Sequence, residues 1–517
     1  MSFVPADAEV RQKVVSEADT TFMVEAGAGT GKTELVKDRV AAIIRQGLAT
    51  IDQLVVITFT DDAAAEIRAR TREGLAALLA GDGLTEEERA RVQAALRGIH
   101  RAHISTIHSF AAGMLRERPV EARVDPAFQA LDDMQASMDF DRAFDAWLER
   151  MLATDQPELA LAMERGLGVR QLRSLALAVH RHRTVLPLDM PEVATPGIGA
   201  FLDEVLGHRQ SLQIAIGFAG DDDDGRANIA QVLAFIDLLA AFMEAGDDDA
   251  LIRAILMQAP RITQSQGAKG AWDDEAQWRD ARERRKAIKD EVERTQALLG
   301  AWVLTDVLPL IEQFVIGYEA ERRELGVADF DDLLIWAREL LTDNSAREWF
   351  RGRFTRIIVD EFQDTDPVQA DIVMCLAGEG APPAQGTWTT MPPRPGVLTV
   401  VGDPKQSIYR FRRADLGVFD GIRHGVLKEH QAQIVQNFRS REQILAWVNQ
   451  VFDLEFTEVP GQQPANTPLV HAPRDEESDA PAVHVAWGPQ ESSGAKSRGP
   501  GAQGLGRMLL HLSLIHI

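Results

Sequence analysis

The chain has 517 residues, of which 45% are hydrophobic and 26% are charged. This composition is typical of a globular protein with a sizeable core and excludes a disordered chain. The 79 acidic residues outnumber the 55 basic ones, giving a formal net charge of −24. That charge excludes a polycation that coats nucleic acid, although it leaves a local basic groove open.

The cysteine content and the apolar pattern bear on the compartment. A single cysteine, Cys375, cannot form a disulfide within the chain or a cysteine-based metal site, which favours a reducing compartment. We find no run of about 18 apolar residues and no basic leader followed by an apolar segment. We therefore expect a cytoplasmic protein without a membrane span.

The first elements are predicted to be a strand, a glycine loop, a helix and a strand. Thr21–Val24 is β-prone, Ala26–Gly31 is glycine-rich and Glu34–Ile44 has helical apolar spacing. Leu54–Thr58 is a continuous apolar run, as expected of a strand buried on both faces of a parallel sheet. Helical patterns continue to about residue 100, and a short apolar stretch then leads into another helix.

The middle of the chain is predicted to be mainly helical, from residue 112 to residue 345. Strand patterns return at Ile357–Val359, Val397–Val401 and Ile434–Val435. The simplest interpretation is one α/β domain interrupted by a large helical insertion.

The end of the sequence has a different composition. Residues beyond 488 are rich in glycine and serine, and the final LSLIHI resembles a translated sequencing-adapter remnant. We expect residues 488–517 to be an unstructured or artefactual tail.

The strongest local signal is a phosphate-binding loop between a predicted strand and a predicted helix. Its residues are Ala26, Gly27, Ala28, Gly29, Thr30, Gly31, Lys32 and Thr33. Glycines let successive backbone N–H groups face phosphate oxygens, Lys32 would carry charge to the β- and γ-phosphates, and the Thr33 hydroxyl would ligate Mg²⁺. The strict pattern has glycine where Ala26 stands, so the alternative is an ordinary glycine-rich turn.

A second acidic site follows a later strand. Asp360 and Glu361 come directly after the apolar Ile357–Val359, at the carboxyl end where α/β sheets place their ligands. Asp360 would help to hold Mg²⁺, and Glu361 would orient and deprotonate a water molecule. Alone, such a pair could equally cap a helix.

A series of segments in fixed order carries a family resemblance. They are Ala26–Thr33, Ile57–Thr60, Thr106–Phe110, Asp329–Leu333, Val359–Gln369, Val401–Asp415 and Gln436–Ser440. In these segments the chain resembles UvrD/Rep-type superfamily 1 DNA helicases, and especially nuclease-helicase subunits of the AddA or RecB kind.

The resemblance implies an α/β fold: a P-loop RecA-like parallel-sheet domain, a large helical insertion and the start of a second RecA-like domain. The implied segments are 1–111 and 346–429 for the first domain, 112–345 for the insertion and 430–487 for the second domain. The motifs that complete the second domain are expected beyond residue 517.

The resemblance also assigns residues to ATP. Gln12 would read adenine, with a solvated glutamine as the alternative, and Phe438 would stack on the base. Gln406 would sense the γ-phosphate, since an amide both donates and accepts hydrogen bonds. Arg439 would reach the γ-phosphate from the second domain.

Single-stranded DNA would be held by aromatic faces and a few polar groups. The resemblance places base stacking on Phe59, Tyr409 and Phe411, with backbone contacts from Thr60, His108 and Arg412. Core packing is the alternative for Phe59 and Phe411. Asp62, after Asp61, stands where the family commonly has lysine, which weakens the case for a phosphate contact there.

The implied function is an ATP- and Mg²⁺-dependent helicase or translocase that moves 3′→5′ on single-stranded DNA in repair or recombination. Its implied partners are DNA and a nuclease-helicase subunit. The alternative is a catalytically incomplete ATP- and DNA-binding fragment or partner-dependent subunit. We disfavour a small-molecule kinase, because it has no use for Glu361 or the segment Val401–Asp415.

Overall fold

The computed structural model describes residues 3–154, 156–189, 196–221, 223–263, 269–384 and 386–473. The chain divides into two compact units: residues 127–331 form the second, and the flanking segments 1–126 and 332–517 form the first. The sequence predicted the insertion at 112–345, so its ends lie 15 and 14 residues outside those of the second unit. The predicted tail at 488–517 lies outside the described residues.

The strands are short. In chain order they are β1 (Phe22–Ala26), β2 (Leu54–Thr58), β3 (His103–Thr106), β4 (Gln129–Ala130), β5 (Val327–Ala328), β6 (Arg356–Val359), β7 (Leu398–Gly402), β8 (Gln431–Ile434), β9 (Gln436–Asn437) and β10 (Val470–His471).

Helices make up most of the remaining described structure. In chain order they are α1 (Ala8–Ser16), α2 (Lys32–Gln46), α3 (Asp61–Ala80), α4 (Glu86–Arg97), α5 (Ile107–Glu117), α6 (Pro119–Ala122), α7 (Asp133–Ala153), α8 (Pro157–Glu164), α9 (Val169–Arg181), α10 (Gly199–Gly207), α11 (Arg209–Ala215), α12 (Asp224–Ala245), α13 (Asp248–Met257), α14 (Glu275–Leu325), α15 (Phe330–Leu340), α16 (Asn344–Arg353), α17 (Pro367–Ala377), α18 (Leu416–His424) and α19 (Glu442–Glu455).

The first unit is built on a six-stranded sheet in the order β3-β2-β6-β7-β1-β8. Each neighbouring pair in it is parallel. Helices on the faces bury strands such as β2 and β7 completely, which explains their continuous apolar sequences. The expected α/β fold with a parallel RecA-like sheet and a helical insertion is confirmed.

The position of β8 corrects the predicted start of the second RecA-like domain at residue 430. This strand pairs with β1, and Ile434 lies opposite Ala26. Residues 431–434 therefore belong to the first sheet. The sequence pattern predicted a strand only at Ile434–Val435, because β8 is an edge strand, in which exposed Gln431 and Gln433 alternate with buried Ala432 and Ile434.

The second unit is helical, with α14 running 51 residues through it. The first half of α14 packs against a cluster from α10–α13, and its second half packs against a cluster from α7–α9. The helical character of the insertion follows from these two apolar clusters along one long helix.

Two helices of this unit bear on the expectation that the chain has no membrane span. By length and composition, α12 and α14 could each cross a membrane. Core helices pass the same test, and both helices place side chains such as Val232, Ile236 and Val292 in a buried cluster.

Asp329 is the centre of a buried ionic network in the second unit. Its Oδ2 accepts a hydrogen bond from Arg322 Nη1 at 2.8 Å, and His180 Nε2 lies 3.4 Å from the same oxygen. Arg183 Nη2 lies 3.7 Å from Oδ1. Burial alone would raise the pKa of Asp329, but the contact with His180 and the charges of Arg322 and Arg183 hold it well below its usual range.

We predict that Asp329→Asn destabilises the protein by about 3 kcal/mol at pH 7, because it removes the carboxylate charge that the buried Arg322 and Arg183 face. The depressed pKa means that the carboxylate stabilises the fold above about pH 4 and that this contribution is lost as the pH falls. Urea unfolding at pH 7 and pH 3.5 measures both effects. Asp290→Asn, on the exposed face of α14, is the control, and equal losses in the two variants at pH 7 would contradict the prediction.

Candidate functional site

The glycine-rich loop after β1 has the backbone geometry of a phosphate-binding loop. Gly29 and Gly31 have positive φ angles of 71° and 82°, which glycine adopts without strain. Thr30 Oγ1 donates a hydrogen bond to Gly27 O at 2.7 Å and closes the turn. The helix α2 begins at Lys32, so its free N–H groups and positive dipole end face the loop.

Ala26 does not disturb this loop. It is the last residue of β1, it is fully buried, and it pairs with Ile434 of β8. An extended strand residue needs no positive φ, so a methyl group is tolerated where the strict pattern has glycine.

Lys32 and Glu361 form an ion pair that joins the two predicted halves of the site. Lys32 Nζ donates a hydrogen bond to Glu361 Oε2 at 2.7 Å, although the residues lie 329 positions apart. A phosphate group must therefore compete with Glu361 for the ammonium of Lys32.

Asp360 and Glu361 follow β6 at the same edge of the sheet. Asp360 is buried, and its Oδ1 accepts a hydrogen bond from Glu361 N at 3.0 Å. Glu361 has a φ of 53°, a left-handed conformation that costs roughly 1 kcal/mol or more in a residue other than glycine. Burial, with the charge of Glu361 added, raises the pKa of Asp360 to about 6.

The donor set suits Mg²⁺ with a nucleotide. Thr33 and Asp360 offer a hydroxyl and a carboxylate oxygen, and no cluster of three or more acidic, histidine or cysteine residues occurs in the described parts of the chain. Mg²⁺ commonly binds through one or two protein oxygens together with substrate phosphates. Thr33 and Asp360 could therefore hold the ion once phosphates are present.

The loop after β7 is tied to this acidic site. Gln406 Nε2 donates a hydrogen bond to Asp403 Oδ2 at 2.8 Å. Asp403 N donates to Gln363 Oε1 at 2.9 Å, and Gln363 Nε2 donates to Glu361 Oε2 at 2.8 Å. The predicted residues Glu361 and Gln406 are thus connected through two residues to which the sequence analysis gave no role.

The segment with Phe438 and Arg439 lies against the glycine loop. Asn437 Nδ2 donates a hydrogen bond to Ala28 O at 2.6 Å, and Phe438 N donates to Gly29 O at 2.8 Å. A Cβ atom at Gly29 would lie 2.7 Å from both Arg439 Cβ and Asn437 Nδ2, so this close approach requires glycine. The structure therefore brings Phe438 and Arg439 to the phosphate-binding loop.

The side chain that lies near Phe438 is that of Arg11, not that of Gln12, the next residue in α1. Gln12 is exposed on α1, whereas the Arg11 guanidinium lies 5.3 Å from the centre of the Phe438 ring. The role of Gln12 in reading adenine stays a prediction. Arg11 is a candidate residue of this site that the sequence analysis missed.

Asp7 holds Arg11 in this place. Its Oδ1 accepts a hydrogen bond from Arg11 Nε at 2.6 Å, and its Oδ2 accepts from the backbone N–H groups of Val435 and Gln436, both at 2.8 Å. Burial alone would raise the pKa of Asp7, but Arg11 and these N–H groups hold it below its usual range. The i, i+4 spacing of Asp7 and Arg11 was the only sequence feature that could have predicted this ion pair.

The aromatic residues predicted for DNA lie together. The ring centres of Phe59 and Tyr409 are 4.5 Å apart, and those of Tyr409 and Phe411 are 5.7 Å apart. Phe411 is 78% exposed, which argues against core packing for that residue. The Arg412 guanidinium lies 5.9 Å from the centre of the Tyr409 ring.

Thr60 and His108 lie at the starts of two helices. Thr60 caps α3, since its Oγ1 accepts a hydrogen bond from Ala63 N at 3.1 Å. The exposed Asp61 and Asp62 begin α3, where acidic residues stabilise a helix. His108 is the second residue of α5.

Comparison with known proteins supports the resemblance. The model of the UvrD/REP helicase N-terminal domain matches residues 7–426. An ATP-dependent helicase/nuclease subunit from Bacillus cytotoxicus is 26% identical over 496 residues, which cover 85% of this chain and 38% of the relative. The protein of the same name from Geobacillus thermodenitrificans is 26% identical over 501 residues, covering 85% and 39%. The chain therefore spans about two fifths of the length of these curated relatives.

We predict that Asp360→Asn stabilises the protein when neither nucleotide nor Mg²⁺ is present. The raised pKa means that the folded state is favoured by a protonated Asp360 and that this advantage is lost as the pH rises through about 6. The gain should be about 1.5 kcal/mol at pH 5 and approach about 3 kcal/mol at pH 8. Thermal unfolding at both pH values measures it, with Asp82→Asn, at an exposed position, as control; a gain independent of pH would contradict the prediction.

Proposed function

Because the chain belongs to the UvrD/REP helicase N-terminal domain family, which its residues 7–426 match, we propose that it is an ATP-dependent DNA helicase or translocase. We propose 3′→5′ movement on single-stranded DNA, in repair or recombination in the cytoplasm. The observation that carries the proposal is the contact of 2.7 Å between Lys32 and Glu361. It joins a phosphate-binding cation to a carboxylate that can act as a general base.

In this function Lys32 binds the β- and γ-phosphates of ATP, and the N-terminus of α2 supports them with its N–H groups. When the phosphates take the ammonium of Lys32, Glu361 loses its counter-charge and can accept a proton from the attacking water. Mg²⁺, held by Thr33 and Asp360, would neutralise phosphate charge. Arg439 is at the glycine loop, from which it can reach the γ-phosphate.

DNA is proposed to bind beside this site. Phe59, Tyr409 and Phe411 form a continuous aromatic surface, and base stacking on such rings tolerates every sequence. Exposed Arg410 and Arg412 lie next to the rings and can contact phosphates. Tyr409 follows Gln406 by three residues, so the nucleotide and DNA sites share one short segment.

A second candidate function is an ATP- and DNA-binding protein that does not turn over ATP alone. It would use the same ATP and DNA sites as the first proposal. The names of the relatives describe them as subunits of a helicase/nuclease, so a nuclease-helicase partner is part of both proposals. ATP hydrolysis with and without single-stranded DNA separates the two candidates, with Lys32→Ala as the blank.

We predict that Glu361→Gln lowers ATP turnover by about 10²–10⁴-fold, because the general base is lost. ATP affinity should be equal or higher, because Lys32 is no longer paired with a carboxylate. ATP hydrolysis in the presence of single-stranded DNA measures the turnover, and titration with a fluorescent ATP analogue measures the affinity. Glu429→Gln, at an exposed glutamate, should behave as the wild type. A matching loss of affinity in Glu361→Gln would count against the assigned role.

We predict that Tyr409→Ala weakens single-stranded DNA binding by about 1–3 kcal/mol through the loss of stacking. The salt dependence of binding should stay the same, because phosphate contacts are untouched. Fluorescence anisotropy at several salt concentrations measures both quantities. Ile408→Ala removes a neighbouring side chain that is 70% exposed but not aromatic. Equal affinity losses in the two variants would exclude stacking on Tyr409.

A further inference from the structure

We propose that Gln363 is a positioning residue, which holds Glu361 in place and links it to the loop of Asp403 and Gln406. The inference rests on the proposed function and deepens it, since it concerns how the nucleotide site communicates with the DNA site. Gln363 itself touches neither the phosphates nor the reacting water in this proposal.

The two ends of the Gln363 amide contact different loops. Nε2 donates a hydrogen bond to Glu361 Oε2 at 2.8 Å, in the loop after β6. Oε1 accepts from Asp403 N at 2.9 Å, in the loop after β7. An amide has a distinct donor end and acceptor end, and Gln363 is only 1% exposed. These two contacts therefore fix the orientation of the side chain.

The end of β7 is shaped to accept this amide. A Cβ atom at Gly402 would lie 2.7 Å from Gln363 Oε1, so the close approach of the two loops depends on a glycine at this position. Ser407 Oγ adds a third link by donating a hydrogen bond to Gln363 O at 3.1 Å. The loops after β6 and β7 are therefore linked by several hydrogen bonds around Gln363.

Glu361 Oε2 accepts hydrogen bonds from both Lys32 and Gln363. When a phosphate takes the ammonium of Lys32, the Gln363 amide remains as the donor that holds the carboxylate. A hydrogen bond of this kind can keep a general base within reach of its water, and a shift of about 1 Å there can cost about 10²-fold in rate.

The same amide can pass a movement of Glu361 to the DNA side. Asp403 N donates a hydrogen bond to Gln363 Oε1, and Asp403 Oδ2 accepts one from Gln406 Nε2 at 2.8 Å. Tyr409 follows three residues later. A displacement of Glu361 on ATP binding would therefore shift residues 403–409.

Gln363→Met tests this proposal, because methionine has a similar length and lacks the amide donor and acceptor. Gln369→Met is the matched control, on the partly buried first turn of α17. Hydrogen exchange of the full chain is followed with and without ADP or a non-hydrolysable ATP analogue, in peptides covering residues 26–34 and 403–412. ATP affinity and kcat are measured on the same samples.

In the wild type and the control, nucleotide should change exchange in both peptides. In Gln363→Met the change at 26–34 should persist, and the change at 403–412 should be lost. The kcat should fall at least about tenfold, while ATP affinity stays within about twofold of the wild type. Gln363→Glu keeps an acceptor for Asp403 N but places an oxygen against Glu361, so it should lower kcat while the Asp403 amide stays protected.

The outcomes separate this inference from the proposed function. The role of Gln363 would be overturned if nucleotide changed hydrogen exchange at 403–412 normally in Gln363→Met. It would also be overturned if this variant lost the exchange changes in both peptides equally and was less stable. A wild type in which bound nucleotide leaves exchange at 403–412 unchanged would overturn it as well. If the wild type binds nucleotide without hydrolysing it, the proposed ATPase activity is contradicted. The hydrogen-exchange measurement would still test the role of Gln363. A wild type that does not bind nucleotide would remove both.

Discussion

The parallel alignment of β1, β7 and β6 is the constraint on which the site depends. Because these strands are neighbours and run in the same direction, their carboxyl ends deliver the glycine loop, Asp403 and Asp360 to one edge of the sheet. The helical unit of residues 127–331 enters the chain before β6 without changing this alignment. Residues more than 300 positions apart, such as Lys32 and Glu361, therefore meet at hydrogen-bond distance.

This convergence creates an electrostatic imbalance that favours a polyanionic ligand with a metal ion. Burial and the nearby charge of Glu361 raise the pKa of both Asp360 and Asp364 to about 6, and Lys32 is the cation paired with Glu361. In the proposed function, Mg²⁺ held with a nucleotide would bring positive charge to the carboxylates, and the phosphates would occupy the ammonium of Lys32. In the proposed function, relief of this repulsion would add to the affinity for ATP with Mg²⁺.

The parts of the molecule that the sequence could predict are those with a local signal. Glycine spacing identifies the loop before α2, and continuous apolar runs identify the buried strands, such as β2. The edge strand β8 was predicted only at its end, Ile434–Val435, because a short alternating strand resembles many solvent-exposed segments. Gln363 and the contact of Asp7 with Val435 depend on tertiary structure alone, since the latter joins residues 428 positions apart. Local patterns therefore indicate the phosphate-binding groups and leave their connections undetermined.

Asp7 shows why such a distant contact matters to the nucleotide site. Its carboxylate binds Arg11 on one side and the backbone at Val435 and Gln436 on the other, so it fixes the strand ends just before Phe438. Asn437 then ties the same segment to the glycine loop through Ala28 O. The aromatic ring and the arginine that follow β9 are thus held by contacts with the first sheet and α1. It follows that the geometry of residues 437–439 is set by contacts within the first compact unit.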